Sequence, residues 1–236
     1  MKKVFLFVFV LGVALIFSGC KKKYETAAEF YEYSKKLREK PDVAFVFDLQ
    51  VETARGKSPY KVYTKNGQMR VETVDLASYT EYSSLFLQDT KTKVLYDPIM
   101  RTAKILSDRR EMQEYNPIEF MLSWGDGDSE YIDEIFKLGK KVKRGETPCK
   151  MVHNINLNDK QNSFEFCVNE ELGIATYLYI PCSTRGADGK KYDCSTRAEI
   201  FNIKQEDVPD MMFALPSDAI LMGTQKQMFE YGSLKK

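Results

Sequence analysis

Val43-Ala44-Phe45-Val46-Phe47-Asp48-Leu49-Gln50-Val51 decides the architecture of this chain. Val43, Phe45, Phe47, Leu49 and Val51 recur at every second position, while Asp48, Gln50 and then Glu52 take alternate ones. A period of two marks a strand with one buried face, because successive side chains of an extended backbone point to opposite sides. The alternation continues downstream. Residues 60–65 and 68–74 flank Asn66-Gly67, a pair suited to a two-residue hairpin turn in which both central residues need positive φ. Residues 84–88 and 93–97 form a second pair across Asp89-Thr90-Lys91-Thr92, and residues 102–106 add a further strand. Strands joined by short turns run antiparallel, so the chain begins as a meander and a parallel doubly wound sheet is excluded.

Upstream of the meander the period is 3.6. Thr26 and Glu29 have capping-box spacing, Ala27, Phe30, Tyr31, Ser34 and Leu37 form a stripe, and Pro41 follows as a stop. This predicts a helix over residues 26–39 whose apolar stripe packs on the sheet. Downstream, residues 117–124 and 129–138 read as two helices separated by Gly125-Asp126-Gly127-Asp128. The acidic pair does not match the calcium-loop frame, with ligands at positions 1, 3, 5 and 12, so Asp128 or Ser129 is expected to cap the second helix. Strands resume after Lys140, over residues 149–156, 162–169, 174–180 and 193–203. In the last, Glu199, Phe201 and Ile203 alternate with Ala198 and Ile200. Residues 222–236 read as a mixed polar tail. The expected fold is mainly β with helices (α+β), a strongly curved antiparallel sheet wrapping a helical element over residues 25–221.

Four cysteines lie in the second half of the chain. Folding about Asp188 in Arg185-Gly186-Ala187-Asp188-Gly189-Lys190 sets Cys182 opposite Cys194, six residues away on each side. A turn at Asn158-Asp159-Lys160-Gln161-Asn162 brings Cys149 near Cys167. The expected disulfides are therefore Cys149–Cys167 and Cys182–Cys194. Zinc sites use close pairs such as C-x-x-C, and none occurs here.

The composition argues for binding over chemistry. The chain has 35 basic and 34 acidic residues and a net charge of +1, with no basic excess to recommend nucleic acid. His153 is the only histidine and alternates with Cys149, Met151 and Ile155, as a strand residue would. There is no G-x-S-x-G elbow, phosphate-binding glycine loop or dinucleotide fingerprint. Carboxylate pairs such as Asp133/Glu134 are expected by chance among 34 acids. No enzyme, cofactor or metal is indicated.

The N-terminus carries a different message. Lys2 and Lys3 precede an apolar run over residues 4–17 that ends in Ser18-Gly19-Cys20, the layout of a secretory signal, and too short for a membrane span. With cysteine directly after the small pair, residues 1–19 resemble a bacterial lipoprotein signal peptide. The resemblance implies cleavage before Cys20, acylation of Cys20, and a membrane tether over residues 20–24. Lys21, Lys22 and Lys23 then lie near the headgroups. Removing residues 1–19 takes away two lysines and no acid, which moves the net charge to −1. Lys21 after the acylated cysteine, where retained inner-membrane lipoproteins carry Asp, implies the outer membrane.

The order of elements resembles the LolA/LolB-like superfamily of lipoprotein-sorting and RseB N-terminal-like domains. The resemblance spans residues 25–221. Its local marks are Tyr63 to Glu72 around Asn66-Gly67, Val94-Leu95-Tyr96-Asp97-Pro98 before Thr102-Ala103-Lys104-Ile105-Leu106, Cys167-Val168-Asn169-Glu170-Glu171-Leu172-Gly173-Ile174, and Asp210 with Phe213 and Pro216. It implies an unclosed β-barrel with helices on its concave side, and a periplasmic binding role. Phe45, Phe47, Leu49, Leu85, Leu87, Tyr177 and Tyr179 are the candidates to line an apolar cavity for lipid or lipoprotein acyl chains. The alternative is a scaffold or sensor that binds an envelope protein without a lipid ligand.

Overall fold

The computed structural model describes residues 24–40, 44–75, 80–87, 92–106, 116–126, 129–144, 147–155 and 164–222. The signal segment with Cys20 and Lys21–Lys23, the turn at residues 158–162 and the tail from residue 223 onward lie outside them, as do Asp128 and residues 88–91.

Helix α1 (Ala27–Arg38) begins with the expected capping box. The Thr26 hydroxyl accepts from Glu29 N at 3.2 Å, and Glu29 Oε2 accepts from Thr26 N at 3.4 Å. The predicted meander follows as β1 (Ala44–Thr53), β2 (Gly56–Lys65), β3 (Gln68–Asp75), β4 (Thr80–Leu87), β5 (Thr92–Asp97) and β6 (Thr102–Leu106). At the β2–β3 turn Asn66 and Gly67 both have positive φ, 48° and 74°, as the hairpin requires. Helix α2 (Asn116–Ser123) comes next, then a 3-10 turn (Ser129–Tyr131) and the single turn of α3 (Ile132–Ile135). The remaining strands are β7 (Phe136–Arg144), β8 (Thr147–Asn154), β9 (Glu165–Asn169), β10 (Ala175–Ile180), β11 (Ser183–Arg185), β12 (Lys191–Asp193), β13 (Thr196–Gln205) and β14 (Ile220–Met222).

Twelve strands form one sheet in the order β14-β6-β5-β4-β3-β2-β1-β13-β10-β9-β8-β7. All neighbours pair antiparallel except β14 and β6. The sheet is strongly curved and does not close, and the helices pack on its concave, inner face. Strands β11 and β12 form a separate hairpin.

Two expectations are corrected. The helix expected over residues 129–138 ends at Ile135, and Phe136 is already extended (φ −125°, ψ 146°). Ile132, Ile135 and Phe136 have helical spacing, but the Phe136 ring packs 5.4 Å from Phe166 and 6.1 Å from Phe164. The backbone beyond it bonds to β8, so tertiary pairing overrides local preference. Tyr131 precedes α3 without a side-chain cap bond, and Asp128 and the Ser129 side chain, expected to cap this segment, lie outside the described residues. Asp126 instead ion-pairs with Arg38 at 2.6 Å, and Asp133 caps α1 by accepting from Ala28 N at 2.9 Å. The strand expected over residues 193–203 is split, because Asp193 belongs to β12 and β13 starts at Thr196. The break is held by Asp193 Oδ1 accepting from Ser195 N and by the Ser195 hydroxyl accepting from Cys182 N.

The two faces of the sheet are covered differently. On the inner face Phe45, Phe47, Leu49 and Val51 join Val62, Val71, Leu178, Ala198 and Ile200 beneath Phe30, Tyr31, Met121 and Trp124. On the outer face the chain beyond β13 crosses back as a strap over β1 to β6 and ends as β14. Val208 and Phe213 of the strap cover Ala44 and Val46, and Leu215 covers Val94, Tyr96 and Ala103. The start of β1 is therefore buried on both sides. Lys65 Nζ donates to Val208 O at 3.0 Å and pairs with Asp210 at 2.8 Å; Arg70 donates to Met212 O at 3.2 Å. The parallel β14–β6 pair follows from this crossover, since a strand that returns across a sheet face can align in parallel, whereas a tight hairpin cannot.

Candidate binding site

Five of the seven residues expected to line one apolar cavity are described with their side chains, and they divide between the two faces. Phe47 and Leu49 are 1% and 2% exposed and Phe45 is buried beside them, all within the inner core. That core is centred on an aromatic cluster. Trp124 is wholly buried, with ring centroids 5.4 Å from Phe166, 5.6 Å from Tyr31 and 5.7 Å from Phe30. Tyr177 and Tyr179 lie on the opposite face. The register explains why: Leu178 stands opposite Ala198 on the inner side, so its two neighbours alternate outward. Leu85 pairs with Val94 and Leu87 with Thr92; their side chains lie outside those described.

Tyr177 and Tyr179 instead line a cleft of about 530 Å³ on the part of the outer face that the strap leaves uncovered. Its walls are Gln50 and Glu52 from β1, Arg197 and Glu199 from β13, Glu165 from β9 and Arg144 from β7. Pairing assembles it row by row. Glu52 stands opposite Arg197, Arg197 opposite Tyr179, Tyr179 opposite Glu165, and Glu165 opposite His153. In the adjacent row Gln50 faces Glu199, and Glu199 faces Tyr177. Each of these positions alternates with an inward apolar residue, so the pattern that builds the core also builds the cleft.

The two arginines lie over the two tyrosines. The Arg144 guanidinium is 4.1 Å from the Tyr177 ring centroid, and that of Arg197 is 5.4 Å from the Tyr179 ring. Arg144 approaches Glu165 to 3.8 Å, and His153 Nδ1 is 3.5 Å from the other Glu165 oxygen. Burial pushes the Tyr177 phenol above its ordinary range, against the opposing pull of Arg144, so the ring stays neutral at physiological pH. Below the cleft lies the Cys149–Cys167 disulfide (Cα–Cα 5.5 Å), packed with Met151 and Tyr177. The second bond, Cys182–Cys194 (Cα–Cα 4.8 Å), closes the base of the β11–β12 hairpin. The cleft offers stacked cations, carboxylates and an amide to a polar partner. Among the described residues no group of three histidine, cysteine or acidic side chains is placed to hold a metal.

Sequence reading singled out the tyrosines but not Arg144, Arg197, Glu52 or Glu165 as their companions. The signal for Gln50, Glu52 and Glu199 was present as polar positions alternating with the core. Arg144 gave none, because β7 was expected to be helical in part.

No protein-family profile matches the sequence, and no curated protein matches it by sequence. Solved structures do resemble it in fold. An uncharacterised conserved protein from Thermus thermophilus is 12% identical with a TM-score of 0.51, covering 83% of this chain and 98% of that one. MucB is 11% identical with a TM-score of 0.50, over 84% of this chain and 63% of MucB, so this chain matches less than two thirds of that protein. A LolA superfamily protein from Nitrosomonas europaea is 13% identical over 81% of this chain and 98% of its own, with a TM-score of 0.38. At these identities the likeness is one of fold: the chain has the unclosed, curved-sheet architecture of the Thermus protein and MucB.

Proposed function

We propose that the chain is a lipid-anchored, non-enzymatic binding module of the bacterial cell envelope, and that it recognises a protein partner through its outer-face cleft. One observation carries this reading. The inner face, where an acyl chain would need room, is packed with Trp124, Phe30, Tyr31 and Phe166 over Phe47 and Leu49, while the strap leaves a polar, aromatic-floored cleft open outside. Arginine and tyrosine are the side chains most enriched in protein interfaces, because each supplies a large contact area and directed hydrogen bonds. MucB, one of the proteins of similar fold, is seen in complex with MucA. Anchoring through Cys20, facing the periplasm on the outer membrane, is part of the same reading and follows from the N-terminal pattern.

The test combines native mass spectrometry with cross-linking. The exported, disulfide-bonded chain is weighed after gentle release. A photoreactive residue at Gln50 then reports what the cleft touches in the envelope. A mass with no lipid beyond the covalent acyl groups on Cys20, together with one cross-linked protein that is lost in Arg197→Glu, is the expected result. A stoichiometric non-covalent acyl lipid retained through purification would overturn it in favour of a lipid carrier.

A further inference from the structure

We propose that strand β7 is a membrane-facing edge, which lays the domain against anionic lipid headgroups beside its anchor. The proposal rests on the lipoprotein reading of Cys20. Strand β7 is the last strand of the sheet, at the end opposite β14. Over Phe136–Arg144 it carries Lys137, Lys140, Lys141, Lys143 and Arg144, all exposed. Lys141 pairs with Glu170 and Arg144 approaches Glu165, whereas Lys137, Lys140 and Lys143 make no ion pair among the described residues. The flanking acids in sequence are Asp133 and Glu134, which precede the strand in α3 with Asp133 engaged at the start of α1, and Glu146, which follows the strand outside the described residues.

The position of the anchor makes this charge significant. Tyr24, the first described residue after the tether, donates its hydroxyl to Glu170, and the same carboxylate binds Lys141 of β7. Tyr33 of α1 adds a bond to Glu170 O at 3.1 Å. The tether therefore leaves the domain at the β7 edge. Tyr24 lies four positions after Cys20, a span of at most about 14 Å when fully extended. An acylated Cys20 keeps this edge close to the headgroups, where a negative surface potential acts within about 8 Å. The edge is also poorly suited to taking an added strand. Its ladder is interrupted between Leu138 and Lys141, and bulges and lysines block strand addition.

The full chain, floated with vesicles of phosphatidylcholine alone or with phosphatidylglycerol added, separates the possibilities. Lysine labelling read by mass spectrometry is expected to fall several-fold at Lys137, Lys140 and Lys143 only when phosphatidylglycerol is present, and to recover in high salt. Lys57 and Lys204, on other strands, should not change. For Lys140→Gln/Lys143→Gln bearing Cys20→Ser, partition onto these vesicles should weaken about 25-fold relative to Cys20→Ser alone, at about fivefold per lysine. Flotation of the unmutated chain in high salt reports the anchor separately. Its loss, with phosphatidylglycerol-dependent protection retained, would remove the anchor and keep the basic edge. Equal labelling on both vesicle types, or partition unaffected by the two substitutions, overturns the proposal.

Discussion

Trp124 Nε1 donates to the carbonyl oxygen of Gly173 at 3.2 Å, and Arg38 donates to the same oxygen at 3.0 Å. One carbonyl in the β9–β10 turn thus ties α1 and the end of α2 to the sheet. Gly173 has φ +74°, and a Cβ there would lie 2.2 Å from Ser34 O in α1. The helix and turn approach so closely that only glycine fits.

Two substitutions probe this joint. Gly173→Ala is expected to destabilise by more than about 1 kcal/mol, since it faces both an unfavourable φ and backbone overlap. Trp124→Phe should cost about 1 kcal/mol for the lost hydrogen bond, and Trp124→Ala about 3–5 kcal/mol. Urea unfolding followed by circular dichroism checks all three; an unchanged midpoint for Gly173→Ala would remove the close approach.

The two disulfides should differ in what they protect. Cys149–Cys167 is buried and joins β8 to β9 in the main sheet, so replacing both with alanine is expected to lower global stability by about 3 kcal/mol. Cys182–Cys194 closes an exposed hairpin outside that sheet. Its removal should speed hydrogen exchange over residues 183–193 while leaving the global midpoint nearly unchanged.

Acid should loosen the N-terminal clamp. Burial raises the Glu170 pKa, but hydrogen bonds from Lys141 and Tyr24 outweigh it and hold the carboxyl below its ordinary 4.5. A depressed carboxylate stabilises the fold above its unfolded-state value, and the contribution is lost as pH falls through the folded-state value. Stability near neutral pH should therefore exceed that below pH 4.5, and Glu170→Gln should flatten this part of the profile. Thermal midpoints across the acid range make the comparison.

The strap depends on its apolar plugs. Phe213, 3% exposed, packs with Val208 over Ala44 and Val46. Phe213→Ala is expected to cost about 3–5 kcal/mol and to open residues 206–219 to limited proteolysis. Lys65→Met, which removes the ties to Val208 O and Asp210, should produce the same cleavage with a smaller loss of stability.

Much of this could be read from local pattern. The Thr26/Glu29 capping box, the Asn66-Gly67 hairpin and the alternation from Phe45 to Val51 each depend on neighbours a few residues apart. The Cys182–Cys194 bond was legible for the same reason, since a single turn sets its geometry. The cleft was only half legible. Tyr177 and Tyr179 drew attention as apolar bulk, but the face they occupy depends on a register set by Ala198 across the ladder, and Arg144 reaches them from a strand whose first residues look helical.

The sequence by itself determined a curved antiparallel sheet, its first helix, its Asn66-Gly67 hairpin turn and its cysteine pairing, because period, caps and turn residues act over short range. Only the tertiary structure decided that Trp124 and its neighbours pack on the inner face, that residues 206–219 cover parts of β1, β5 and β6 on the outer face, and that arginine and tyrosine meet on a part left uncovered. Those outcomes depend on which distant segments share a surface, and burial rewards any apolar neighbour almost equally. Alternation states that a face will be covered; packing alone selects what covers it.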